Sequence, residues 1–271
     1  METAGAQSTK TILASRERLA AAWNKIVLPP QVKTDLLDIV EQFACGDAAA
    51  PRGLLLYGPP GSGKTLVLRC IADSLDCKFM HLNAGDLSAG YVGQTTERVR
   101  TLWRDARASG CCVMGIDWFE GVFPARGGRN SDSLAQERVT AFLTEWDGFP
   151  AAQNRGVLVI GETYDLKPVD PAILSRFRLG GRVIELPLPG TALERLQILS
   201  LELEKIGRTA EIPAFVGAAT EGMSGRNLAS LVYKACMQAE MHGVSALSGE
   251  LAWRAALDEI RPKHDRDREN R

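Results

Sequence analysis

Gly53-Leu54-Leu55-Leu56-Tyr57-Gly58-Pro59-Pro60-Gly61-Ser62-Gly63-Lys64-Thr65 is the stretch whose reading decides the fold. An apolar run, Leu54 to Leu56, stops at Gly58. A turn of glycine and proline follows, and Lys64-Thr65 then open a helix carrying Leu66, Leu68 and Ile71. Gly58 and Gly63-Lys64-Thr65 complete the spacing G-x-x-x-x-G-K-[ST] of a phosphate-binding loop. Its glycines let backbone N–H groups converge on phosphate oxygens where Cβ atoms would block the approach. The helix N-terminus adds partial positive charge at the same point. The residues expected around a bound ATP are therefore Gly58, Pro59, Pro60, Gly61, Ser62, Gly63, Lys64, Thr65 and Leu66. Lys64 is expected to reach the β- and γ-phosphates, and the Thr65 hydroxyl to hold Mg²⁺.

Working outward, the 271 residues suffice for one large domain with a smaller companion. A net charge of −1, without a clustered basic stripe, speaks against nucleic acid as a partner. No run approaches the ~18 apolar residues of a membrane span. The first ten residues lack an apolar signal core, so a cytoplasmic protein is expected. The six cysteines show no C-x-x-C spacing. Cys70, Cys111 and Cys112 sit in apolar runs and are expected to be buried, reduced thiols. His81, His242 and His264 are scattered, which gives no reason to expect a metal cluster.

Residues 1–24 read as an N-terminal segment, frayed at first, with a helical pattern from Ser15 to Trp23. Gln31 to Phe43 reads as a helix with Val32, Leu36, Ile39 and Val40 on one face. Further strands are expected at Lys78–Leu82, Cys111–Ile116, Val157–Gly161 and Val183–Leu186. Helices are expected at Thr95–Ala108 and after the capping box Ser133-x-x-Gln136. Strands alternating with helices predict an α/β, three-layer P-loop NTPase domain over 25–187, with a parallel five-stranded sheet. From Pro187-Leu188-Pro189-Gly190 onward the pattern is helical only. Thr191-x-x-Glu194 is a second capping box, and further helices are expected at Ile212–Ala219, Gly225–Met241 and Glu250–Ile260. This predicts a small all-helical lid domain over 188–262 and a disordered charged tail over 263–271.

Hydrolysis at such a loop needs a carboxylate on a neighbouring strand for Mg²⁺, and usually a second to polarise the attacking water. Asp117, ending the run Val113-Met114-Gly115-Ile116, fits the first role. The next residue is Trp118, which cannot accept a proton. Glu120 stands two positions on; were the strand to continue, it would face the same side as Trp118, about 6–7 Å further along.

From about Lys25 to Ile260 the sequence resembles one ATPase module of the AAA family, near its protein-remodelling branch. Gly58 to Thr65 resembles that family's Walker A motif, and Gly90-Tyr91-Val92-Gly93 its first pore loop. Ile116-Asp117 followed by Pro124-Ala125-Arg126 resembles its Walker B strand and the loop after it. Asp170 to Leu174, Arg176-Phe177 and Glu185-Leu186-Pro187-Leu188-Pro189 resemble the segment with its arginine fingers. Gly222-Met223-Ser224-Gly225 resembles its small-domain motif. The resemblance implies a homo-oligomeric ring, usually of six subunits, with nucleotide between subunits and a pore acting on a polypeptide substrate or adaptor. It assigns Arg176 as the foremost trans-acting finger, with Arg178 or Arg182 as a second, although Ser175 to Gly181 does not keep the family spacing. It assigns Tyr91 and Val92 to the substrate-gripping loop.

Two departures stand out. The family usually carries Asp-Glu where this chain has Asp117-Trp118, and Gly-Ala-Thr-Asn where it has Gly161-Glu162-Thr163-Tyr164. Loss of a positioned general base typically costs ~10²–10⁴ in rate, or about 3–5 kcal/mol of barrier. The sequence leaves three readings open. The carboxylate has moved to Glu120 or Glu162; or the module is a nucleotide-binding ring scaffold or regulator with little or no hydrolysis; or Trp118 is an introduced change.

Overall fold

The computed structural model of the protein describes residues 23–47, 49–75, 77–87, 94–126, 133–148, 156–241, 247 and 249–260. The expected helix before Trp23, the Tyr91-Val92 loop and the charged tail lie outside these residues.

The described residues form two compact units. Residues 23–24, 30–59 and 64–186 belong to the first, and residues 25–29, 60–63 and 187–260 to the second. The first unit holds five parallel strands: β1 (Gly53–Tyr57), β2 (Lys78–Leu82), β3 (Cys112–Ile116), β4 (Val157–Thr163) and β5 (Arg182–Glu185). Their order is β2-β3-β4-β1-β5. Helices α1 (Pro30–Ala44), α2 (Lys64–Ser74), α3 (Gln94–Ala108), α4 (Phe119–Val122), α5 (Ser133–Asp147) and α6 (Pro171–Gly180) accompany them. The expected five-stranded parallel sheet with flanking helices is present.

The chemistry of each strand fits its place. The inner strands β3 and β4 are buried at every residue, and β1 at every residue but Tyr57. A parallel strand covered on both faces needs such a continuous apolar run. At the edge, β2 leaves Lys78, Phe79 and His81 exposed. One part of the core is a closed circuit of aromatic rings. Phe142, Phe123, Phe119, Phe177 and Trp146 lie 4.8, 4.9, 5.3 and 5.1 Å apart in turn, and Trp146 returns to Phe142 at 5.6 Å. Such tilted and edge-to-face pairs add about 0.5–1.5 kcal/mol each beyond the area they bury. The circuit joins α4, α5 and α6.

Three local features differ from the sequence reading. The third strand ends at Ile116 as expected, but a one-turn helix, α4, follows it where no helix was read, so the conditional extension of the strand to Glu120 does not occur. Helix α6 replaces what was read only as an arginine-bearing segment. Asp170 caps it, accepting from Ala172 N at 2.8 Å and Ile173 N at 3.3 Å, with Pro171 in the first turn. Cys111, expected as a reduced thiol, forms a disulfide with Cys77. Because Lys78 is in register with Cys112, the two cysteines face each other at the starts of β2 and β3, with Cα atoms 4.8 Å apart. Cys70 and Cys112 are buried and take no part in that disulfide.

The second unit contains α7 (Ala192–Lys205), α8 (Ala214–Ala219), α9 (Gly225–Met241) and α10 (Glu250–Ile260). Leu199, Leu203, Val216, Leu228, Leu231, Val232, Trp253 and Leu257 form its core. The Thr191 capping box is complete: Glu194 N donates to Thr191 Oγ1 at 3.1 Å, and Thr191 N donates to Glu194 Oε2 at 2.9 Å. Arg195, only 4% exposed, is neutralised in hydrogen-bonding terms by the carbonyls of Pro189, Gly190 and Gly217.

Candidate functional site

β1 delivers the chain to the phosphate loop. Gly58 has φ +147°, and a Cβ there would lie 2.3 Å from the Leu186 carbonyl oxygen, so only glycine fits. Gly61 and Gly63 also have positive φ, 78° and 95°, as a loop that turns its amides inward requires. The Gly225 amide donates to the Gly61 carbonyl at 3.0 Å. Lys64 Nζ donates to the Gly58 and Pro59 carbonyls at 2.7 and 3.0 Å. Ser62 Oγ is buried and has no hydrogen-bond partner. An inward-turned glycine loop with an orphaned hydroxyl, a lysine and a threonine fits the phosphates of a nucleotide. Leu66, next along α2, is 40% exposed.

Two acidic residues stand at the strand ends next to this loop. β3 and β4 are paired with Ile116 opposite Gly161, so Asp117 and Glu162 are the next residues of each strand. Asp117 is exposed, and its Oδ1 accepts from Trp118 N at 2.7 Å. Glu162 is 3% exposed, and its Oε2 accepts from Thr65 Oγ1 at 2.7 Å. Its Oε1 is buried without a partner. Burial pushes the Glu162 carboxyl up to about 7; the Thr65 hydrogen bond, Lys64 and Arg69 pull it down, and Asp117 pushes it further up. The sequence offered Glu162 as one place to which the carboxylate has moved, and the structure gives it Thr65 as its hydrogen-bond partner. The donor set of Thr65 hydroxyl, Asp117 and Glu162 is hard oxygen throughout, which fits Mg²⁺.

Trp118 has φ 48° and ψ 53°, the only positive φ at a non-glycine residue among those described. Holding such a bulky residue in the left-handed region costs about 1–2 kcal/mol. The cause lies in its neighbour. Phe119 is fully buried in the aromatic circuit, and Gly161 makes room for it: a Cβ at Gly161 would lie 2.6 Å from the Phe119 ring. The chain must therefore turn sharply to bury Phe119 while Trp118 stays 59% exposed. The indole lies over Gly121, where a Cβ would come within 2.5 Å of it. Glu120 is on α4 and 6% exposed, with Oε2 buried and lacking a hydrogen-bond partner. It is not on an extended strand two residues beyond Trp118. Tyr164, after β4, is 57% exposed.

The three arginines differ in setting. Arg176, on α6, is bound within its own chain: Nε donates to Asp147 Oδ2 at 3.0 Å, Nη2 joins the same oxygen, and Nη1 donates to the Ala172 carbonyl at 3.1 Å. Arg178, on the same helix, and Arg182, opening β5, are exposed. Arg182 Nη1 donates to the Gly181 carbonyl at 3.1 Å. The loop after α4 is tied down by the Pro124–Val169 bridge and by Arg126, 3.5 Å from Asp170.

Among the described residues no group of three or more His, Cys, Asp and Glu could hold a metal ion. No described helix is long and apolar enough to cross a membrane.

Comparison with known proteins agrees with this geometry. The family model "ATPase family associated with various cellular activities (AAA)" matches residues 54–187. The chain is 34% identical over 236 residues to the cell division control protein 48 homolog C of Arabidopsis thaliana, covering 86% of this chain and 27% of that protein. It is 33% identical over 240 residues to the ATP-dependent zinc metalloprotease FtsH of Acidothermus cellulolyticus, covering 84% and 35% respectively. It is 32% identical over 224 residues to the human ATP-dependent zinc metalloprotease YME1L1, covering 79% and 28%. The chain thus spans about a third of the length of these relatives. With a phosphate loop on a five-stranded parallel sheet and this likeness across most of its length, the chain belongs to the AAA family of ATPases.

Proposed function

We propose that this chain is an ATP- and Mg²⁺-binding AAA module that hydrolyses ATP as part of an oligomeric ring, six subunits in the family's usual form, and remodels or threads polypeptide substrates. One observation carries the reading. The glycine loop Gly58–Gly63, Lys64 and Thr65 follow β1, while Asp117 comes directly after β3 and Glu162 is the last residue but one of the neighbouring β4. Lys64 and the loop amides bind the phosphates, and Thr65 and Asp117 hold the magnesium. Arg176 is the foremost finger to reach a neighbour's nucleotide, exchanging its surface pairing with Asp147 for the phosphate, and the exposed Arg178 or Arg182 is the second. Tyr91 and Val92 grip substrate. The helical unit acts as the lid. A cytoplasmic location is supported by the buried Cys70, Cys112 and Cys236, which stay outside any disulfide, and the Cys77–Cys111 bond counts against it.

Trp118 favours a second reading, a nucleotide-binding ring scaffold or regulator with little turnover. An exposed indole in a left-handed turn offers the attacking water no proton acceptor. ATP binding and phosphate release, measured separately, decide between them. Lys64→Ala is expected to abolish both. Trp118→Glu is expected to raise turnover by roughly 10²-fold or more if the missing carboxylate limits the site. Tight ATP binding with phosphate release at background in both the native chain and Trp118→Glu would leave the scaffold reading. No ATP binding at all would refute both.

A further inference from the structure

The Glu162 side chain is placed where it cannot be idle. It is a carboxylate 97% removed from solvent, given its 3% exposure, and one of its oxygens has no partner. Its other oxygen stands 2.7 Å from the Thr65 hydroxyl, the oxygen assigned to magnesium. A buried carboxylate oxygen left without a partner is unfavourable, and a bound cation would remove that cost.

The spacing fits the same conclusion. Two neighbouring oxygens on octahedral magnesium, each at roughly 2.0–2.1 Å from the metal, lie about 2.9 Å apart. The Thr65 Oγ1–Glu162 Oε2 separation of 2.7 Å is that of an ordinary hydrogen bond, and it already sets the two oxygens side by side at nearly that spacing. A hydroxyl and a carboxylate held this near each other need little rearrangement to share one cation. Asp117, at the end of the adjoining strand, adds a second negative charge beside them.

We infer that Glu162 is a direct ligand of the magnesium bound with nucleotide, so that the metal is held by the paired oxygens of Thr65 and Glu162 and backed by Asp117. The assignment rests on the nucleotide-binding reading above. It makes the native protein unusually dependent on the metal. Without a cation, the Glu162 carboxylate faces the incoming phosphates as a like charge. With one, it becomes part of the cradle.

Manganese serves as the probe. Free Mn²⁺ is followed by its electron paramagnetic resonance signal while it is titrated into protein saturated with ADP. ADP affinity in EDTA is measured alongside. Glu162→Gln keeps the acceptor for Thr65 and removes the charge. It is expected to weaken Mn²⁺ binding in the ADP complex by about tenfold or more. ADP affinity in EDTA is expected to stay equal or tighten. Glu162→Asp, one methylene shorter, is expected to weaken Mn²⁺ binding as well. A thermal melt of each variant without ligand shows that it is folded. Mn²⁺ affinity unchanged or tightened in Glu162→Gln overturns the assignment, since it would make Glu162 a bystander or a competitor for Thr65. In that case ADP binding by the native chain would still stand, and only the ligand role would be lost. Failure of the native chain to bind ADP with or without metal would remove both.

Discussion

Replacing Glu162 with glutamine removes one ionisable group from a nearly dry position, and the effect on stability should depend on pH. The carboxyl ionises near 4.5 in a solvated chain and near 7 in the folded protein, chiefly because burial disfavours its charge. At about 1.4 kcal/mol per pH unit, that gap corresponds to about 3 kcal/mol. The sign follows from proton counting. Between pH 4.5 and about 7 the unfolded chain has released this proton while the folded protein keeps it, so stability falls as pH rises. The contribution is fully present below 4.5 and fully lost above about 7. About 2 kcal/mol of the change falls between pH 5.5 and 8.5, where the comparison is practical. Urea unfolding of the native chain and of Glu162→Gln, in EDTA and without nucleotide, measures it. The buried Trp103 and Trp146 give a fluorescence signal from the α/β unit. The stability difference between the two proteins is expected to move in favour of the glutamine variant by about 2 kcal/mol across that range. The groups that act on Glu162 are Thr65, through its hydrogen bond, and the charges of Asp117, Lys64 and Arg69. Parallel pH profiles for the two proteins would refute the reasoning, because they would mean that the carboxylate is solvated in the folded state.

Two further outcomes follow from packing and from covalent structure. Gly161→Ala sets a methyl 2.6 Å from the Phe119 ring and 2.8 Å from Leu55, so it is expected to destabilise the α/β unit by about 1–3 kcal/mol, read by urea unfolding. Unchanged stability would show that the Phe119 seat is loose. Alkylation of the denatured, unreduced chain is expected to label four cysteines, Cys45, Cys70, Cys112 and Cys236, and to label all six after reduction. Six labels without reduction would remove the Cys77–Cys111 bond from the native protein.

The stretch from Gly53 to Thr65 was legible because each step of it is local. An apolar run, a glycine at a positive φ and a helix start all leave marks within thirteen residues. The three inner strands were legible for a similar reason, since Leu54–Leu56, Val113–Ile116 and Val157–Ile160 are apolar without interruption. What escaped was set by contacts distant in sequence. α4 is too short for any periodicity, and it exists because Phe119 finds Phe123 and Phe177. α6 did carry a local mark, Asp170 before Pro171, that the arginines beside it obscured. The partner of Glu162 lies 97 residues away at Thr65, and that of Arg176 lies 29 residues away at Asp147. The pairing of Cys77 with Cys111 needs the β2–β3 register, which no apolar run encodes.

The aromatic circuit also links two elements mechanically. Phe177 belongs to the arginine-bearing helix, Phe119 follows the acidic turn by two residues, and their rings meet edge to face at 5.3 Å. Interiors packed to crystal density pass displacements on rather than absorbing them. A tilt of that helix would press Phe177 on Phe119, two residues from Asp117. In the ring proposed above, the two phenylalanine rings would serve as a lever between the arginine-bearing helix and the acidic turn.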